Sequence, residues 1–262
     1  MRIDIYLTQN GYAESRNKAS KLIDGRLVSV DGKVVTKVSE EIDESIPHDV
    51  TIYEHDEFVG RGGKKLDGAM DTFGLDVTGM RCIDVGASTG GFTQCLLMRG
   101  AASVVAVDSG RGQLHKSLLC DTRVTNIEGY NARNLNENDF GIFDCAVMDV
   151  SFISQTLIIP ALSGIICDNG FFVSLIKPQF EAGRQAIGKN GIVKNAKDRE
   201  NSILRVVECA QACGLSLAGI TVSPIKGGDG NIEYLAYFIK TNSAEQISRN
   251  LTDRIHELCC KN

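Results

Sequence analysis

The sequence has no C-x-x-C pair, no apolar N-terminal segment, no low-complexity tract and only four prolines in 262 residues. Each absence removes a class. The four histidines do not cluster with cysteine, so a zinc site has no support and no metal is expected. The nine cysteines are odd in number and lie mostly in apolar runs, as around Cys145 and Cys167, which reads as reduced core thiols. The opening MRIDIYLTQNGYAESR lacks the hydrophobic region of a secretory leader, so a cytoplasmic protein is expected. The longest uncharged stretch, Val150 to Cys167, carries Ser151, Ser154, Gln155, Pro160 and Ser163; it reads as a buried loop and helix, with no membrane partner. Scarce proline and the lack of low complexity exclude long linkers and fibrous structure. What is present, 43% hydrophobic and 23% charged residues, excludes a disordered chain.

The net charge of −5 gives no global reason to expect a nucleic-acid partner, but it is unevenly distributed. Residues 1–37 hold seven basic and four acidic residues, residues 38–59 hold eight acids and no Lys or Arg, and the remainder balances at 21 against 21. A basic module, an acidic stretch and a neutral domain suggest two domains.

In the first zone, Ile3, Ile5 and Leu7 precede an amphipathic helix predicted over Ala13–Ile23. Ala19, Leu22 and Ile23 share one side, and Arg16, Lys18 and Lys21 fall mainly on the others. Gly25 stops the helix, and Leu27–Val34 reads as a hairpin turning at Asp31-Gly32. The run from Arg2 and Asp4 through Ser15-Arg16, Leu22-Ile23, Gly25, Leu27-Val28 and Gly32 resembles an S4 domain, a small RNA-binding module. That resemblance implies that Arg16, Lys18 and Lys21, with Arg2 and Lys33, face RNA phosphates.

From Arg81 onward apolar runs alternate with helical patterns. Strands are predicted at Arg81–Val85, Ser103–Asp108, Val124–Glu128, Cys145–Asp149, Phe171–Lys177, Ser216–Pro224 and Tyr234–Lys240. Helices are predicted at Phe92–Arg99, Leu157–Cys167, Asp198–Cys213 and Ala244–Cys259. Alternation of this kind gives an α/β fold with a mostly parallel sheet covered on both faces. The loop between the last two strands is too short for a crossover, so the last strand is expected to be antiparallel.

The first strand runs into Asp84-Val85-Gly86-Ala87-Ser88-Thr89-Gly90-Gly91-Phe92, where small residues let the backbone approach a nucleotide-like ligand. Asp108 ends the second strand 22 residues after Gly86, where an acid bonds ribose hydroxyls. Asn131, after the third strand, is expected near an adenine pocket, together with Glu128. Four ionisable residues occupy telling places. Lys65 begins the helix before the first strand, Asp149 and Lys177 end strands, and Glu233 opens the last strand. In a doubly wound sheet the carboxyl ends of parallel strands line the ligand crevice, and an antiparallel last strand brings Glu233 to the same edge.

The form D-V-G-A-S-T-G-G-F is similar to the S-adenosylmethionine site of Rossmann-like methyltransferases. Lys65, Asp149, Lys177 and Glu233 match the Lys-Asp-Lys-Glu tetrad of FtsJ-type ribose 2′-O-methyltransferases. With Arg61-Gly62-Gly63-x-Lys65, Asp149-Val150-Ser151-Phe152-Ile153-Ser154, Lys177-Pro178-Gln179-Phe180-Glu181 and Gly230-Asn231-x-Glu233 behind an S4 module, the chain resembles the TlyA (haemolysin A) family over nearly its whole length. Gly60, where many members have Ser, and Asp108-Ser109-Gly110, where Asp-Val-Gly is commoner, depart from the pattern without removing a tetrad side chain. The resemblance implies a seven-stranded Rossmann-like methyltransferase domain over 65–262, a linker over 60–64 and an S4-like domain over 1–59. It implies methylation of a cytidine 2′-hydroxyl in 23S and in some members 16S ribosomal RNA, with ribosomal subunits as partners and S-adenosylmethionine as cofactor.

On this reading Lys177 is the general base, Lys65 orients the site, Asp149 holds Lys177 and touches the cofactor, and Glu233 fixes Lys65. The cofactor set is Asp84, Gly86, Ala87, Ser88, Thr89, Gly90, Gly91, Phe92, Asp108, Asn131 and Asp149. Arg61, Lys64, Arg184 and Lys189 are expected to touch RNA, the last two from a loop over Gln179–Lys197. Two other classes compete with it. A pore-former needs a membrane segment or a strongly amphipathic helix, and Ser243–Cys259 reads better as a surface helix packed on the sheet. A non-catalytic RNA-binding assembly factor is disfavoured by the intact tetrad and glycine turn.

Overall fold

The computed structural model describes residues 1–52, 58–188, 191–227, 230–241 and 248–261. The chain forms two compact units, Met1–Glu57 and Phe58–Asn262.

In the first unit, helices α1 (Ile3–Gln9) and α2 (Arg16–Asp24) pack with strands β1 (Val28–Val30), β2 (Lys33–Val34) and β3 (Val50–Ile52). Helix α2 begins later than the expected Ala13 because the Ser15 side chain accepts the Lys18 amide N–H and sets the N-cap. The strands pair antiparallel in the order β2-β1-β3, and the β1–β2 hairpin turns through Asp31 and Gly32, both at positive φ. Ile3, Leu7, Ala19, Leu22, Ile23 and Val28 form its core.

The second unit holds helix α3 (Gly62–Phe73), strand β4 (Arg81–Val85), helix α4 (Gly91–Met98) and strands β5 (Ser103–Asp108), β6 (Val124–Glu128), β7 (Phe143–Met148), β8 (Ile166–Ile176), β9 (Leu215–Val222) and β10 (Tyr234–Lys240). Their order is β6-β5-β4-β7-β8-β10-β9, with β10 antiparallel to both neighbours and the rest parallel. Helix α3 starts before the expected Lys65, so part of the stretch read as a linker is helical.

One predicted element is wrong. Leu157–Cys167 is not a single helix but a 3₁₀ turn (Gln155–Leu157), a short helix (Ile159–Ser163) and the first residues of β8. The helix stops at Gly164, and Ile166 pairs with Phe143 before a bulge readjusts the register. The helix expected from Ala244 is described over Arg249–Cys260, capped by the Ser248 side chain; residues 242–247 lie outside the described residues.

Central strands are buried on both faces, which is why they read as continuous apolar runs. Cys82, Val104, Ala106, Cys145 and Val147 pack beneath α3 and α4. Ile83, Val105, Ala146, Met148 and Phe172 pack on the other face with helices Ala196–Ala212 and Arg249–Cys260. All nine cysteines are free thiols, and burial pushes Cys95 up to about 12. No helix among the described residues is long and apolar enough to cross a membrane.

Candidate active site

The chain leaves β4 for β5 and β6 on one side and returns to β7 on the other, so the ends of β4 and β7 border a topological switch point. Gly86, immediately after β4, has φ +86°, and a Cβ there would lie 2.6 Å from the Asp149 carbonyl oxygen. Only glycine allows this turn to lie against the backbone that follows β7. At the start of α4, a Cβ on Gly91 would lie 2.7 Å from the Gly63 amide nitrogen. Two glycine-rich segments, 60–63 and 86–91, therefore touch backbone to backbone.

Two cavities meet here, sharing Gly86, Ser88, Asp149, Ser151 and Phe152. One, of about 480 Å³, runs over the ends of β4 and β5 and is lined by Asp108, Ser109, Gly110, Gln113, Tyr130 and Asn131. Asp108 accepts the Ser88 N–H at 2.8 Å and the Gly110 N–H at 2.7 Å, which fixes its carboxylate at the cavity wall. Asn131 caps the turn Ala132–Asn134 and also accepts from Arg133 Nε at 3.1 Å. Glu128 does not line either cavity. It accepts the Gly112 and Gln113 N–H groups, and these backbone bonds, Gly112 foremost, hold its carboxyl below the usual range.

The other cavity, of about 340 Å³, is lined by Ala87, Thr89, Gly91 and Phe92 from the glycine turn and by all four ionisable residues. Lys65 Nζ donates to Glu233 Oε2 at 2.6 Å, with the two residues only 6% and 3% exposed. Lys177 Nζ lies 2.6 Å from Asp149 Oδ1, off the line of a directed hydrogen bond, and donates to Ser151 Oγ at 2.8 Å. Two lysine–carboxylate pairs thus face one pocket, drawn from α3, β7, β8 and the start of β10. Buried charge is tolerated because each ion has its counter-ion in contact.

Some expected residues stand apart. Asp84 and Gly90 line neither cavity. Asp84 is buried beneath the turn, accepts the Thr93 hydroxyl at 2.7 Å, and is pushed up to about 7 by burial. Arg61 lines the tetrad cavity, and Lys64 is exposed on α3. Arg184 lies on the 3₁₀ turn Arg184–Ala186, and Lys189 lies outside the described residues. In the first unit, Arg2 and Arg16 converge on buried Asp4 at 3.0 and 2.8 Å, with their side chains still largely exposed. Burial would raise Asp4, but hydrogen bonds from Arg16 and Arg2 outweigh it and hold the carboxyl below its ordinary value. Lys18 is half-buried, and Lys21 and Lys33 are exposed. Among the described residues no group of three or more His, Cys, Asp or Glu could hold a metal ion.

Ser151, Phe152, Gln179 and Phe180 also line the tetrad cavity, although sequence reasoning assigned them no role. Phe152 is 91% exposed at φ +64°, with its ring centroid 5.2 Å from that of Phe180. A phenylalanine displayed this way at a cavity mouth offers a stacking face. Its presence inside the motif Asp149–Ser154 was the available signal.

Comparison with known proteins agrees with this geometry. Residues 58–240 match the FtsJ-like methyltransferase family and residues 1–45 match the S4 domain. "Hemolysin A" of Brachyspira hyodysenteriae is 42% identical over 91% of this chain and 100% of its own length. The "16S/23S rRNA (cytidine-2'-O)-methyltransferase TlyA" of Mycobacterium tuberculosis is 40% identical over 97% of this chain and 96% of its own. A solved structure from Streptococcus thermophilus, described provisionally as a hemolysin, superposes with a TM-score of 0.78 at 41% identity, covering 100% of this chain and 94% of that one.

Proposed function

We propose that this chain, which belongs to the FtsJ-like methyltransferase family and within it to the TlyA (haemolysin A) proteins, methylates the ribose 2′-hydroxyl of a cytidine in ribosomal RNA. The observation that carries the reading is the pair of lysine–carboxylate contacts, Lys65–Glu233 and Lys177–Asp149, in a cavity that adjoins the glycine cradle. Ribosomal RNA as substrate means that the protein acts in the cytoplasm.

The cofactor of this enzyme class is S-adenosylmethionine, and the residues present fit it. The cradle at Gly86 excludes a side chain, Asp108 offers a fixed carboxylate for ribose hydroxyls, and Asn131 and Tyr130 wall the far end. Asp149 lines both cavities, which suits a contact to the cationic end of the ligand. When bound, S-adenosylmethionine supplies a methyl group activated by its sulfonium charge.

The remaining work falls to the protein. A ribose hydroxyl is a poor nucleophile, so its oxygen must be held for in-line attack; such positioning contributes up to about 7–11 kcal/mol. To act as base Lys177 first releases its ammonium proton to solvent and then takes the hydroxyl proton as the amine. Asp149 and Ser151 both contact Nζ and hold Lys177 in the wall of the cavity. Lys65, held by Glu233, contributes positive charge beside the oxygen as its proton leaves. Phe152 offers its face to an unstacked base, the form in which single nucleotides enter such pockets.

The test is incubation of separated large and small ribosomal subunits with labelled S-adenosylmethionine, followed by mapping of 2′-O-methyl groups. Label at a cytidine ribose is expected, and label only on a base would overturn the proposal. Lys177→Ala is expected to slow transfer roughly 10²–10⁴-fold with cofactor affinity retained. Near-normal transfer by that variant would remove Lys177 from the role of base.

A further inference from the structure

Glu181 lies outside the pocket and belongs to no assigned role, yet it is only 2% exposed. It ends the short helix Pro178–Glu181, which continues directly from Lys177. Its carboxylate reaches back to the loop after β7: Oε2 accepts the Ser154 hydroxyl at 2.5 Å, and Oε1 accepts the Gln155 backbone N–H at 2.8 Å. Its carbonyl accepts Arg205 Nη1 at 2.6 Å, which ties the bridge to the helix Ala196–Ala212. Gln155 extends the tie. It is buried, donates to the Leu175 carbonyl at 2.6 Å, and accepts the Ser174 hydroxyl, both on β8.

The loop held this way is the one that carries Asp149, Ser151 and Phe152, and the strand that holds it delivers Lys177. We infer that Glu181 is a positioning residue for methyl transfer: by bridging Ser154 and Gln155 it sets the Asp149–Ser151 segment at the distance from which both residues hold Lys177 Nζ. The inference rests on the reaction proposed above.

Several physical points favour positioning over simple fold support. A carboxylate is an expensive way to fill buried space, since burial penalises its charge and raises its protonation range. What it supplies in return is two acceptors that grip consecutive residues of a loop. That grip fixes the loop's position and its twist together, which apolar packing would not. The groups that surround the bridge are few: Arg205 is the charged neighbour of Glu181, and Asp149 is the charged contact of Lys177. Loosening the bridge therefore acts first on the Lys177 contacts, while the glycine turn keeps its own bonds to the Val107 carbonyl and to Asp108.

Glu181→Ala, Glu181→Gln and Ser154→Ala, all in the full chain, test this. Transfer to ribosomal subunits is measured as kcat per cofactor-binding site titrated with S-adenosylmethionine, alongside KM for RNA and the melting temperature. Wild-type transfer is measured in parallel, so failure of the proposed reaction is seen separately from failure of this inference. Glu181→Ala is expected to lower kcat per site roughly 10–100-fold with cofactor affinity and KM changed less than about threefold. Glu181→Gln is expected to restore kcat to within about threefold of wild type, because its amide oxygen accepts the Gln155 N–H while the Ser154 hydroxyl turns and accepts from its NH₂. Ser154→Ala removes one grip, and an intermediate fall is expected; if Glu181→Ala does not fold, Ser154→Ala alone decides. Unchanged kcat per site in the folded variants, with only melting temperature or active fraction lowered, would overturn the inference. So would a Glu181→Gln protein as slow as Glu181→Ala.

Discussion

Asp84 is wholly buried, accepts one hydroxyl from Thr93, and has a second oxygen with no partner among the described residues. Burial raises its pKa from 3.8 to about 7, with Asp149 and Asp108 adding to the rise against the Thr93 bond. Between those values the folded chain binds a proton that the unfolded chain releases. Stability therefore falls as pH rises from about 4 to 7 and levels off above that range. Asp84→Asn does not titrate, so it is expected to gain about 2–3 kcal/mol relative to wild type between pH 5 and pH 8. Urea midpoints at the two pH values check this, and an unchanged difference would place the proton elsewhere. The same residue shows what a sequence reveals at this scale. Asp84 sits in a recognisable glycine-turn motif, but nothing in the motif says that it points down into the core while Asp108 lines the cavity. Phe152 is similar: its exposure follows from a positive φ that no neighbouring residue type announces. Asp149, Lys177 and Glu233 were legible because they stand at strand ends whose edge is set by topology, whereas Lys65, in the first turn of α3, was legible only through the motif that it shares with the family.

Elements were most legible where burial on both faces left no choice of period. Strands β4, β5 and β10 keep the predicted bounds because apolar runs fill them, and the edge strand β6, Val-Thr-Asn-Ile-Glu, keeps its bounds on a weaker pattern. Leu157–Cys167 failed for the same reason in reverse. An apolar run suits a helix or a strand equally, and here Gly164 divides it between both. The bridge made by Glu181 was illegible because its donors lie 26 and 27 residues away, in a loop with no period of its own. At this scale the glycine turn makes the clearest prediction. An alanine at Gly86 must adopt positive φ and drive its Cβ against the Asp149 carbonyl. Strain of about 1–2 kcal/mol on the backbone lowers stability, and the shift of the turn that relieves the clash is expected to weaken cofactor binding at least 10-fold, about 1.4 kcal/mol. Isothermal titration of Gly86→Ala with S-adenosylmethionine measures it; unaltered affinity would mean that the turn is not the cradle.

For the molecule as a whole, the net charge of −5 conceals a basic first segment, an acidic second and a balanced remainder. Within the basic segment the structure separates two kinds of cation. Arg2 and Arg16 spend part of their hydrogen-bonding capacity on buried Asp4, so replacing either disturbs the fold of the first unit as well as its charge. Lys21 and Lys33 are exposed, on α2 and β2, and their replacement changes charge with little change in packing. If the first unit tracks phosphates, these two lysines report on it selectively. The double variant Lys21→Glu, Lys33→Glu is expected to raise KM for ribosomal RNA, with kcat at saturating RNA and cofactor affinity unchanged. The salt dependence discriminates further: for every phosphate that a lysine no longer neutralises, the slope of log affinity against log salt flattens by about one. Methyl transfer measured over a range of potassium chloride supplies that slope for wild type and variant. A higher KM with an unchanged slope would mean that the lysines act through the shape of the first unit. An unchanged KM would move the RNA-binding surface away from this face of the first unit, leaving Arg61 at the cavity mouth as the next cation to vary.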